Sequence, residues 1–218
     1  MKKNIAVILS GCGVYDGAEI TEAVSTLIAL SKAGANYQCF SLDQNKTHII
    51  DHTKGEVADD SRNILVESAR IARGNVKEIS TLSAKDYDGI IFPGGFGVAK
   101  NFCDFATAGE NMVVDENIKN FLVSFKQTNR PIGALCIAPV LLARIFGELN
   151  PEVTVGDNGD IEKVLASWGA NPQKCSVDDC VIDRHNKFVS SPAYMLGQSI
   201  IDISAGVEKL VKETLAMA

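Results

Sequence analysis

Nothing in the chain approaches the about 18 consecutive apolar residues of a membrane-crossing helix, and lysine and arginine never gather into a run. With 21 basic against 27 acidic residues the formal net charge is -6, which argues against nucleic acid or an anionic membrane surface as a partner. No repeat, low-complexity tract or compositional break marks a linker. The 218 residues therefore read as one domain over 1–218, long enough to bury an apolar core without disulfide or metal staples.

Histidine is scarce. His48, His52 and His185 are the three present, and all fall in segments that read as a surface hairpin or turn. His48 and His52 are four residues apart, but Ile49 and Ile50 suggest a strand between them, which does not offer two imidazoles from one helix face to zinc. Cys175 and Cys180 lack neighbouring histidines, so no metal site is expected. Gly11, Gly13 and Gly17 follow the first strand, yet the dinucleotide fingerprint needs glycine where Asp16 stands. No nicotinamide or flavin cofactor is expected.

Six cysteines, Cys12, Cys39, Cys103, Cys136, Cys175 and Cys180, are scattered through strand-like and helix-like segments rather than clustered in a loop-rich scaffold, which favours reduced thiols. The start, Met-Lys-Lys before Ile5-Ala-Val-Ile-Leu9 and Ser-Gly-Cys12, imitates a short lipoprotein-type leader. Its apolar core is shorter than the roughly 7–15 residues of a secretory segment, and the same residues make a good first strand. A cytoplasmic location is expected.

Strand patterns alternate with helix patterns. Residues 4–10 form an apolar strand, 19–33 carry apolar side chains at helical spacing before Gly34, and 37–42 form a second strand. The polar stretch 43–55, with Thr47-His-Ile-Ile-Asp51, reads as a surface hairpin. A helix over 59–72, strands at 76–79 and 89–92, a helix over 115–126, a strand into Cys136 and a helix to Phe146 follow. The last third carries Val153-Thr-Val155, a helix over 161–168, a hairpin-like pair around Val181 and Phe188, and a closing helix after Pro192. Several strands are unbroken apolar runs, which predicts a mostly parallel sheet covered by helices on both faces. Ligands bind such sheets beyond the carboxyl ends of the strands, where Ser10-Gly-Cys-Gly, Pro93-Gly-Gly-Phe-Gly97 and Cys136 would gather.

Pro131-Ile-Gly-Ala-Leu-Cys136-Ile-Ala-Pro-Val-Leu-Leu reads as a buried strand running into a helix, with a thiol at the junction. A sharp turn there lifts the side chain out of the sheet, and the free N–H groups of the helix start favour negative charge beside it. A free thiol has a pKa of about 8.5, which helix N-termini can lower to roughly 3.5–7.5. A reactive thiolate at Cys136 is the expectation. Gly94 and Gly95 could be a plain turn; together with Ile137 they could also supply backbone N–H groups to a developing oxyanion.

The set Gly17-Ala-Glu19-Ile-Thr-Glu22, Pro93-Gly-Gly95 and Ala134-Leu-Cys136-Ile-Ala-Pro139 resembles the DJ-one/PfpI superfamily of class I glutamine-amidotransferase-like proteins. Ile8-Leu-Ser-Gly-Cys-Gly-Val-Tyr-Asp-Gly17, Cys136-Ile-Ala-Pro139 and Pro192-Ala-Tyr-Met195 resemble its ElbB branch, the isoprenoid-biosynthesis glyoxalases, over nearly the whole chain. The resemblance implies a flavodoxin-like α/β fold with a nucleophile elbow at Cys136, a homodimer, and Glu22 in contact with the Cys136 sulfur. It also implies Gly94, Gly95 and Ile137 at the oxyanion position, with Cys12, Gly13 and Tyr194 near the pocket. A carboxyl group beside a thiolate has its pKa raised, so Glu22 could stay protonated and deliver a proton, whereas Glu19 reads as an ordinary helix-start carboxylate.

One departure bears on the chemistry. Many members of this superfamily place a histidine after the cysteine or after a later strand; here Ile137 and Gly156 stand at those positions. Attack on an unactivated amide is then out of reach, which excludes glutaminase and protease activity. A small 2-oxoaldehyde asks for less: addition to glyoxal or methylglyoxal, a proton shift and hydrolysis yield a 2-hydroxy acid without a redox cofactor. The alternatives are a redox-sensing or interaction protein with an oxidisable Cys136, a protein deglycase, and an inert scaffold. Cys12 would be a resolving thiol or a small packing residue.

Overall fold

The computed structural model describes residues 2–197 and 199–218. The first βα unit runs from β1 (Asn4–Ile8) through α1 (Ile20–Lys32) into β2 (Asn36–Ser41). A short antiparallel pair follows, β3 (Ile50–Asp51) with β4 (Glu56–Val57), then α2 (Ile64–Ile71) and β5 (Val76–Glu78). Next come β6 (Gly89–Phe92), the short α3 (Phe105–Ala108), α4 (Glu116–Gln127), β7 (Ile132–Leu135) and α5 (Pro139–Phe146). The last third holds β8 (Glu152–Val153), α6 (Gly159–Ser167), β9 (Asn171–Pro172), β10 (Val181–Asp183), β11 (Phe188–Ser191) and α7 (Ile200–Met217).

Seven strands form one sheet in the order β10-β11-β7-β6-β1-β2-β5. All neighbours are parallel except the β10–β11 edge pair. The all-buried runs Gly89–Phe92 and Ile132–Leu135 lie at the centre, as expected of strands covered on both faces. After β1 the chain winds outward through β2 to β5, then returns to place β6 on the other side of β1. That reversal makes a switch point between β1 and β6, the place where open α/β sheets keep their ligands. Helices α1 and α7 pack together, and α7 also covers β6, β7 and β11.

Several boundaries differ from the sequence expectation. The helix expected over 59–72 begins only at Ile64, because Asn63 caps it by accepting the Val66 N–H. The strand expected across Thr47-His-Ile-Ile-Asp51 is confined to Ile50–Asp51, since Lys46 and Thr47 are drawn into contacts with other segments. Thr154 and Val155 leave the strand pattern after Val153, and Thr154 donates its N–H to the Ser190 hydroxyl instead. After Pro192 a single turn, Ala193–Met195, precedes α7. The segment Val98–Phe102, which carries no clear periodicity, forms a wide helical turn closed by the Cys103 N–H to the Val98 carbonyl.

Candidate active site

Three strand ends converge at the switch point. β1 leads through the 10–19 loop into α1, β6 ends in the Gly94–Gly97 turn, and β7 ends at Cys136. The backbone of Cys136 is left-handed, with φ at +59°, a strained conformation for a side-chain-bearing residue that is held by its surroundings. The Cys136 N–H donates to the Ser191 carbonyl at 2.9 Å, and Pro139 begins α5 three residues on. This is the sharp strand-to-helix turn expected from the sequence.

Glu22 lies two residues inside α1, fully buried, and its carboxyl group faces the same point. Its Oε2 accepts the Gly94 N–H at 2.8 Å and its Oε1 the Tyr194 N–H at 3.4 Å. The Glu22 carboxyl and the Cys136 thiol stand close enough for each to shift the other's acidity. Glu19 caps the helix, its Oε2 accepting the Glu22 N–H at 2.8 Å. Only glycine fits at position 94, because a Cβ there would stand 2.5 Å from the Cys136 Cβ and 2.7 Å from Glu22 Oε2.

Burial pushes the Glu22 carboxyl up to about 8, with the Glu19 charge adding to it against the pull of the Gly94 and Tyr194 N–H groups. Glu22 is therefore a proton-bearing acid near neutral pH. The Cys136 thiol is also raised, first by burial and then by the Glu22 charge, while the N–H groups of Gly95 and Ile137 oppose the shift. This corrects the expectation of a freely ionised thiolate: Cys136 is only 8% exposed, and desolvation outweighs the two donors. The site holds a thiol and a carboxylic acid side by side, with the Gly95 and Ile137 N–H groups acting on the thiol.

Gly94, Gly95, Ile137 and the Tyr194 backbone are thus the groups that act on the Cys136–Glu22 couple. The Tyr194 hydroxyl points instead to Thr21, 3.4 Å from its Oγ1. Cys12 and Gly13 stand on the neighbouring loop; the Gly13 N–H donates to the Ala18 carbonyl, and burial raises the half-buried Cys12 thiol. A side chain at Gly156, where φ is +86°, would run into Leu196 Cγ at 2.9 Å and Met195 Cβ at 3.2 Å. The space a histidine would enter from that position is filled. His52 and His185 are exposed and His48 is half-buried. Among the described residues no three histidine, cysteine or carboxylate side chains converge as metal ligands would. Sequence reading overlooked the buried pair Lys46 and Asp16, since a lysine within a polar excursion carries no signal of burial.

No family model matches the chain. It is 41% identical to the human glutamine amidotransferase-like class 1 domain-containing protein 3, mitochondrial, across 98% of its own length and 82% of that protein's. The chain belongs to this class I glutamine amidotransferase-like family. A solved isoprenoid biosynthesis protein with an amidotransferase-like domain from Ehrlichia chaffeensis superposes with a TM-score of 0.91 at 34% identity, covering 99% of this chain and all of the other. That likeness is to an ElbB-like protein. Glyoxalase III of Candida albicans has the same fold, with a TM-score of 0.62 at 16% identity, covering 99% of this chain and 97% of its own. No helix among the described residues is long and apolar enough to cross a membrane.

Proposed function

We propose that the protein is a slow, cofactor-independent glyoxalase that converts glyoxal to glycolate, and methylglyoxal to lactate, through a hemithioacetal on Cys136. The observation that carries this reading is the Cys136–Glu22 couple, a thiol beside a carboxyl group raised to about 8, flanked by the N–H groups of Gly95 and Ile137. The sulfur bonds to an aldehyde carbon. Its proton passes to Glu22 as Glu22 gives its own proton to the carbonyl oxygen. Loss of that proton to water leaves Glu22 ionised; it then takes the hydrogen of the new sulfur-bearing carbon as a proton and returns it to the adjacent carbon, while the hydroxyl proton moves to the neighbouring carbonyl oxygen. That shift turns the adduct into a 2-hydroxyacyl thioester with no net oxidation. Water cleaves the carbon–sulfur bond, releasing the hydroxy acid and the free thiol.

The raised pKa of the Cys136 thiol and its low exposure weigh against a peroxide sensor, which needs an accessible thiolate. They weigh equally against a deglycase that must admit a protein side chain, whereas a two- or three-carbon aldehyde can reach a nearly closed sulfur. Family resemblance supports a homodimer, as do Ile20, Val24 and Ile28, apolar residues one helical turn apart on α1 that are 39–49% exposed. The six free cysteines suit a reducing compartment, and we assign the protein to the cytoplasm.

The test is steady-state turnover of glyoxal by the purified protein and its Cys136→Ser variant, with folding checked by circular dichroism. Glycolate production is expected from the first and none above background from the second, because serine has no histidine base to activate it. Production by the serine variant at the unmodified rate would locate the activity elsewhere.

A further inference from the structure

Lys46 is a buried cation that the chemistry above leaves unused. Its ammonium has no exposed surface and stands 2.9 Å from Asp16 Oδ1 and 4.0 Å from Glu67 Oε2. The other Asp16 oxygen accepts the Ile50 N–H at 2.8 Å. The side chain also lies under the first turn of the 11–17 loop, where a Cβ at Gly11 would be 3.0 Å from Lys46 Cε. A segment that reads as surface decoration thus reaches beneath the loop that leads into the catalytic helix.

That loop in turn holds the oxyanion turn. The Val14 carbonyl accepts the Phe96 N–H at 2.7 Å and the Gly17 carbonyl accepts the Gly97 N–H at 2.9 Å, while the Glu19 N–H donates to the Gly94 carbonyl at 2.9 Å. Asn101 ties the assembly together, its Nδ2 donating to the Ser10 and Asp16 carbonyls at 3.0 and 3.1 Å. Every residue from 94 to 97 is therefore anchored on the 11–19 stretch or directly beside a residue that is. A buried ion pair is seldom more stabilising than apolar residues of the same volume, so its value in such a place is positional.

We infer that Lys46 and Asp16 are a positioning pair for the nucleophile: their ion pair fixes the 11–17 loop, and the loop's carbonyls fix the turn that aims the Gly95 N–H at the Cys136 sulfur. The inference rests on Cys136 as the reacting group. It does not depend on which aldehyde is the substrate.

The experiment measures iodoacetamide alkylation of Cys136 against pH, by peptide mass spectrometry, together with kcat and KM for glyoxal. It uses Lys46→Met, the neutral double variant Lys46→Met with Asp16→Asn, and Lys46→Arg. In Lys46→Met and the double variant the Cys136 midpoint is expected to move up, its alkylation at pH 8 to slow about tenfold, and kcat to fall about tenfold with KM within twofold. Lys46→Arg, which keeps the cation, is expected to restore most of both rates. If Lys46→Met does not fold, the double variant, which leaves no charge at position 16 and keeps Glu67 paired with Arg62 and Arg70, carries the test. Folded variants with an unchanged Cys136 profile and kcat, and only a lower melting temperature, would reduce the pair to a structural role and overturn the inference. Should the unmodified protein turn over no glyoxal, the alkylation profiles still decide the role of Lys46, and only the substrate reading fails.

Discussion

In the proposed reaction, Glu22 carries more of the chemistry than its position in the sequence suggests. Because its carboxyl is raised from 4.5 to about 8 by burial, the folded protein keeps a proton that the unfolded chain releases above about pH 4.5. Stability is then greatest on the acid side of this window and declines as pH rises towards 8. In Glu22→Gln that decline should flatten, which chemical denaturation at pH 5, 6.5 and 8 would reveal. An unaltered slope would mean that the carboxyl is already ionised in the native state. The same substitution keeps a hydrogen-bonding group beside the sulfur but removes the transferable proton. Aldehyde trapping should survive while turnover drops by roughly 10²–10⁴, the usual cost of losing a general acid–base.

Among the elements, the strand ends do the positioning, and these were also the most readable parts of the chain. Unbroken apolar runs such as Gly-Ile-Ile-Phe92 and Ile-Gly-Ala-Leu135 announce central parallel strands, and the glycines or cysteine that follow them mark the functional edge. The acidity of Cys136 was not readable, because it depends on how deeply other segments bury the sulfur. The reach of Lys46 beneath the 11–17 loop was hidden for the same reason: a long-range contact leaves no local periodicity. Gly94→Ala should force the turn away from Cys136 and destabilise the fold by about 1–3 kcal/mol, as overpacking does, with loss of turnover. Wild-type kcat and stability in that variant would mean that the turn is looser than its 2.5 Å approach implies. Asp115 caps α4 through the Asn117 and Ile118 N–H groups. Asp115→Ala should cost about 1 kcal/mol in urea titration without touching kcat, since α4 stands apart from the nucleophile's contacts.

For the molecule as a whole, burial ranks the thiols. Cys39, Cys103 and Cys180 are pushed up to about 12 by burial, so a thiol reagent at pH 8 should leave them unmodified until the protein unfolds. Cys12 and Cys175, which are half-buried, should react first under native conditions. If the exposed Ile20–Val24–Ile28 stripe joins two copies, Val24→Asp should halve the mass found by light scattering and leave the circular dichroism unchanged. The chemistry at Cys136 is tested most directly by peptide mass spectrometry of the Glu22→Gln variant after exposure to glyoxal, alongside its steady-state rate. An aldehyde adduct accumulating on the Cys136 peptide while glycolate formation collapses is the expected result. Glycolate formation at the unmodified rate with no adduct on Cys136 would contradict it.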